Sequence, residues 1–296
     1  MSYVLDNWSF DPFLIVVAAI IVLHEVGLSN LRRRSRPERA RARRRKSLLF
    51  YAGLGVLLLA VVSPIDYWAS DYFFVHMIEH ILVMFLAPVL IVAGAPWLPL
   101  VHGLPVGVRR RLGRAVLLSD WARPLRAIGR VATNGVVAVL LFNISMVLWH
   151  IPVLFDLAER NQPVHIWLMH SSFFVAGVLF WLQLIPSYPI KPKLSTLGGI
   201  WAILASNVVM IFLAMSMSIL SSASWYSVYD HVAGVQLSAF ADQQIGAAIL
   251  WVCGDFWAYP MLVILIGRAI REEGSGSALL DRMLGRRFAV SLERTD

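Results

Sequence analysis

Seven stretches of this chain are apolar for about 20 residues each, and a run of that length leaves few folds open. Inside a bilayer no water can satisfy a backbone N–H or C=O, so a spanning segment must close its hydrogen bonds internally, as a helix does. The stretches run over 12–30, 47–67, 75–100, 131–150, 165–186, 196–221 and 242–267. Hydrophobic residues make up 58% of the 296 and charged residues 15%, a membrane composition. The predicted fold class is therefore all-α: a polytopic membrane protein, a bundle of seven transmembrane helices over 1–270 with a C-terminal tail over 271–296. Residues 1–12 hold Asp6 and Asp11, no basic residue, and are followed by no small-residue cleavage pattern. The first stretch is thus expected to stay as a helix and not to leave as a signal peptide.

A net charge of +8 would suggest a nucleic-acid partner on a soluble chain. Here its location gives another meaning. Of the 26 Lys and Arg, 25 lie in 31–46, 101–130, 187–195 and the chain from Arg268 onward, and only Arg160 falls on the opposite side. Basic loops are retained in the cytoplasm, so the N-terminus is predicted outside and the C-terminus in the cytoplasm. The run 31–46 can also meet anionic lipid, and no nucleic-acid partner is expected. The single cysteine, Cys253, excludes an internal disulfide and a thiolate metal cluster within the chain.

This orientation sorts the histidines. His76, His80, His150, His165, His170 and His231 lie at or near the outer side, and His24 and His102 toward the cytoplasm. His76 and His80 are four apart, about 40° around a helix, and Met84 continues their stripe. Met146 precedes His150 by four residues. His165 and His170 are five apart, which is about 140° on an α-helix. At most one of them is expected to face a shared cavity unless the helix begins after His165, and the deeper His170 is the expected one. Pro88 removes the N–H that the Met84 carbonyl would accept, so a kink is expected there.

Histidine is costly inside a bilayer, and several at one depth favour a shared ligand or a proton path. Imidazole and thioether without thiolate suit copper, Cu(I) in particular. The candidate metal ligands are His76, His80, His150, His170 and His165, with Met84 and Met146 as soft donors. Glu79 and Asp242, at the same level, can ligate or orient an imidazole. Asp255 in the seventh stretch and His24–Glu25 in the first are ionisable groups at membrane depth, read equally as a proton path or as a buried packing pair. Asn143 and Asn207 read as interhelical hydrogen bonds. Two other readings of the histidines remain open: haem ligation by facing imidazoles, and copper or proton-coupled transport using Asp255 and His24–Glu25. No nucleotide-binding glycine loop, Gly-x-Ser-x-Gly elbow or His-Glu-x-x-His motif occurs, so no enzyme is expected.

Several of these residues also carry a family likeness. His76-x-x-x-His80 with 81–88 ending in Pro88, Gly94-Ala95-Pro96, Trp149-His150-Ile151-Pro152, the stretch 177–181, and Asp242-Gln243-Gln244-Ile245-Gly246 leading to Trp251 resemble, in order, the landmarks of the CtaG-type cytochrome c oxidase assembly factors. The likeness spans about 70–267. It implies a multi-pass protein of the bacterial plasma membrane that matures the copper-containing oxidase, with the copper-A subunit of cytochrome c oxidase as partner. It also implies His76, His80, Pro88, His150, His165, His170 and Asp242 as the family's motif positions. The single-span copper chaperone of the same name uses cysteines that this chain lacks.

Overall fold

The computed structural model describes residues 7–9, 13–33, 35–230, 237–277 and 280. Among them the chain is helical throughout, with one isolated bridge between Ser187 and Ile190. Helices α1 (Phe13–Arg32) and α2 (Pro37–Val62) come first, and Ser63 caps the short α3 (Pro64–Ala69) by accepting the Ile65 N–H at 3.1 Å. α4 (Phe73–Gly94) follows, then α5 (Trp97–Gly103), α6 (Val106–Leu117), α7 (Arg123–Ala132), α8 (Gly135–Trp149) and α9 (Pro152–Glu159). The chain ends in α10 (Gln162–Leu184), α11 (Thr196–Ser218) and α12 (Ala239–Glu273). His231 lies outside the described residues.

Among the described residues, six helices (α1, α2, α4, α10, α11 and α12) are long and apolar enough to cross a membrane. The fourth stretch expected from sequence, 131–150, holds the helix Gly135–Trp149, which is too short to count alone; it meets the preceding Asp120–Ala132 at 82°, which makes seven spans only if that bent pair counts as one. The third stretch also departs from expectation. Read from sequence as unbroken over 75–100, it stops at Gly94, because Ala95 adopts a left-handed conformation (φ 49°) and Pro96 follows. α5 then packs back along α1. α2 begins at Pro37, so the basic residues up to Lys46 are helical and not a loop. α12 runs past residue 270 to Glu273, where Gly274 closes it at φ 83°.

α12 packs along α11 and against the first half of α4, α2 runs beside the second half of α4, and α10 lies against both α8 and α4. Phe85, Phe142, Phe180 and Trp257 from four helices interlock at the centre, with Phe142 and Phe180 stacked at 4.3 Å. The outward faces stay apolar, as at Val208 and Phe212 of α11, which suits contact with lipid chains.

α4 and α10 meet at one tight crossing. A Cβ on Gly177 would stand 2.2 Å from the Met84 carbonyl oxygen. That carbonyl has lost its usual helical donor to Pro88, and the backbone takes up the change as a π-helical turn over Leu82–Leu86, with the Ala87 N–H reaching back to Leu82. The expected kink is thus a widened turn, placed one step below the histidines.

Candidate metal centre

The site begins with a cap. The N–H groups of Phe73 and Phe74 donate to the two carboxylate oxygens of Asp242 on α12, at 2.7 and 2.9 Å. That pair of charge-assisted bonds fixes the first turn of α4, and His76, Glu79 and His80 follow one turn in. Asp242 therefore acts by orienting a helix, and its carboxylate is committed to backbone donors. His76 and Glu79 are completely buried and His80 nearly so.

Three further elements bring their groups to the same place. At the end of α8, the His150 Nδ1 lies 2.6 Å from the Met146 carbonyl. A carbonyl only accepts, so the proton sits on Nδ1 and Nε2 keeps its lone pair, facing the Met77 sulfur at 3.4 Å. α9 is held by Phe155, buried against Phe73, His76 and Tyr226, and ends at Glu159. Glu159 Oε1 stands 3.4 Å from His76 Nδ1 and 3.3 Å from His165 Nδ1. Burial, reinforced by the charges of Asp66 and Asp156, pushes the Glu159 carboxyl up to about 8. α10 supplies His165 and His170.

His165 overturns an expectation from sequence. On an α-helix only His170 would face inward, but residues 165–170 wind as a π-helix. With i→i+5 bonding, residues five apart lie nearly one above the other, and the two rings approach to 4.3 Å. Both therefore enter the cluster. Ring centroids are 4.0 Å apart for His76–His80, 5.2 Å for His76–His165, 5.8 Å for His80–His170 and 6.2 Å for His80–His150. Tyr229 closes the top, donating to the Ala69 carbonyl at 2.9 Å with its oxygen 3.3 Å from His76 Nδ1.

These contacts decide which nitrogens are free. The Tyr229 hydroxyl already donates to Ala69 and so accepts from His76 Nδ1, which leaves His76 Nε2 as a lone pair; Glu159 Oε1 lies on the Nδ1 side of both His76 and His165 without an aligned hydrogen bond. Among the described residues, His76 Nε2, His165 Nε2, His170 Nε2, both nitrogens of His80 and Glu159 Oε1 are buried without a well-aligned hydrogen-bond partner. Buried polar atoms are seldom left so, and a cluster of them with converging lone pairs is what a cation site requires. A cavity of about 480 Å³ reaches this cluster, bounded by Asp66, Asp71, Glu159 and His165.

Met84, Met146 and Met77 all belong to the buried hydrophobic core, and among the described contacts a thioether meets an imidazole at Met77. His24 and Glu25 form a separate network on α1 and α2: the Tyr51 hydroxyl donates to Glu25 at 2.6 Å, lies 2.7 Å from His24 Nδ1, and Arg44 stands 3.6 Å from Glu25. That network ties α1 to α2 and shares no residue with the histidine cluster. The side chain of Asp255 lies outside the described residues. Asn143 does bridge helices, donating to Ser206 at 2.9 Å.

Sequence reasoning missed Glu159, Met77 and Asp66. Glu159 carried a usable signal, as an acidic residue closing the short apolar helix between His150 and His165. Met77 carried none, since it sits about 100° around the helix from His76 and off the stripe of His76, His80 and Met84.

Fold and site together define a class: a helical membrane protein with a buried histidine–carboxylate cluster near one end of its bundle. The chain belongs to the cytochrome c oxidase caa3 assembly factor family, whose profile matches residues 22–272. Proteins of Mycobacterium bovis and Mycobacterium tuberculosis, each named as uncharacterized, are 26% identical over 284 residues, covering 95% of this chain and 42% of their own length. A Mycobacterium leprae protein, likewise named, is 25% identical over 233 residues, or 78% of this chain and 35% of its own. The chain thus spans about two fifths of the length of the first of these relatives. No solved structure matches it.

Proposed function

We propose that this protein serves cytochrome c oxidase assembly by holding copper in the histidine cluster and presenting it to the copper-A subunit, without catalysing a reaction. The observation that carries this reading is that His76, His80 and His165 each offer a ring nitrogen within 4.8 Å of the others, in a cluster that also holds buried, unpartnered nitrogens. Family membership supplies the oxidase, and the oxidase supplies copper as the metal it needs.

The donor set fits such an ion. Neutral imidazoles suit copper and zinc alike, and the Met77 sulfur beside His150 adds a soft neighbour. The carboxylates of Glu79 and Glu159 at the cluster favour a divalent state over the Cu(I) expected from histidine and methionine alone. Glu159, beside the Nδ1 atoms of His76 and His165, is placed to hold both in the tautomer that offers Nε2 once an ion binds, as carboxylates behind metal-bound imidazoles commonly do. Asp242 holds the first turn of α4 at the depth where these nitrogens meet. In the orientation that the basic loops favour, this end of the bundle faces outward, on the side of the copper-A site, so the ion need not cross the membrane.

Complementation of a deletion strain tests the reading. The wild-type chain should restore copper-A in isolated oxidase, and His80→Ala should not, at equal membrane abundance of the factor. Full copper-A with His80→Ala would reject the role of the cluster.

A further inference from the structure

The cluster holds more donors than one ion can use. His76, His80 and His165 offer ligand atoms within 4.8 Å of one another, and so do Glu79, His165 and His170. The two sets share His165, so the positions they mark are neighbours. An ion on the first set has three neutral imidazoles around it, with Glu159 behind two of them. That arrangement leaves Glu79 and His170 unused. Glu79 is completely buried, its carboxyl lies within hydrogen-bonding reach of Asp66, and Oε1 is 3.4 Å from His170 Nε2.

That distance has a meaning of its own. Two ligands bound 2.0–2.1 Å from an ion at a tetrahedral angle stand about 3.4 Å apart. The Glu79–His170 pair is already spaced as one edge of a coordination shell. Charge points the same way. A buried carboxylate needs a cation or a proton, and among the described residues the ion-pair partners of Glu79 and Glu159 within 4.0 Å are imidazoles, not Lys or Arg. Asp66 of α3 lies close enough to interact with Glu79 and borders the cavity that leads to the cluster.

We propose that the cluster is a two-ion centre for divalent borderline metals, with one ion on His76, His80 and His165 and a second on Glu79 and His170, on the Asp66 side. This rests on the reading of the cluster as a metal site and adds a second ion to it. Neighbouring ions in such centres stand about 3.5–4 Å apart, and the carboxylates offset their repulsion.

The test uses the full chain in detergent, stripped with a chelator and reloaded separately with Zn²⁺ and with Cu²⁺. Metal per chain is measured by mass spectrometry, and the copper form is examined by electron paramagnetic resonance. The wild type should hold two ions, and its copper signal should integrate to well under the copper present, because adjacent Cu²⁺ spins couple. Glu79→Gln should hold one ion, with a signal that accounts for all of it; His170→Ala should behave alike and serves if Glu79→Gln fails to fold. One ion in the wild type, unchanged by Glu79→Gln and fully visible in the spectrum, overturns the second position and leaves the single-ion reading standing. No tightly held metal in the wild type overturns both.

Discussion

Gly177→Ala should damage the metal centre without touching a ligand. The new methyl would stand 2.2 Å from the Met84 carbonyl oxygen and 2.9 Å from the Pro88 ring, where ordinary contact is about 3.5 Å. α10 must then move away from α4 by about 1 Å at their crossing, or both backbones must distort. Overpacking of this kind costs about 1–3 kcal/mol, and helix propensity returns at most about 1 kcal/mol of it. The same shift separates His165 and His170 on α10 from His76, Glu79 and His80 on α4. Binding constellations tolerate only about 0.5 Å of misplacement, so metal affinity should fall by about tenfold or more. Gly55→Ala in α2 and Gly267→Ala in α12 are the controls, because a Cβ at either meets nothing within 4 Å. Thermal unfolding in detergent and metal titration of the three variants give the answer. Gly177→Ala with wild-type melting and wild-type affinity would refute the argument that this crossing sets the width of the site.

Two further outcomes follow from the site. In chelator-treated protein, Glu159 titrates near 8 when folded against about 4.5 when exposed, so the folded chain holds an extra proton between these values. Wild-type stability should therefore decline relative to Glu159→Gln as pH rises from about 5 to 8, by no more than ~5 kcal/mol, with His76, His165, Asp66 and Asp156 as the facing groups; parallel melting curves across that range would contradict the assigned burial. Asp242→Ala should cost about 1–2 kcal/mol by stripping the Phe73 and Phe74 donors of their acceptor, and Asp242→Asn should recover part of it in the same melting assay.

Much of this site is visible in the sequence, for reasons that also mark where reading stops. His76 and His80 follow from a four-residue spacing that any α-helix honours, and His150 and His170 from their shared depth near helix ends. His165 stands among the sequence's candidate ligands, but the five-residue gap turns it away from His170 under α-helical geometry, and only the π-helical winding brings both rings together. The break at Ala95 is hidden for a similar reason: apolar content continues to Leu100, and only Gly94-Ala95-Pro96 marks the turn. Glu159 and Asp66 come from short helices that bury polar groups against neighbours distant in sequence, which no local pattern records. Met77 is hidden because a stripe of His76, His80 and Met84 passes it by, and its sulfur meets His150 only once α8 is placed against α4.

X-ray absorption at the copper edge of the copper-loaded, detergent-purified chain tests the central claim most directly. A centre built on His76, His80 and His165 should show nitrogen and oxygen neighbours at about 2.0 Å with the multiple-scattering pattern of imidazole. A first shell dominated by sulfur at about 2.3 Å, or copper that washes away before the spectrum is taken, would contradict it.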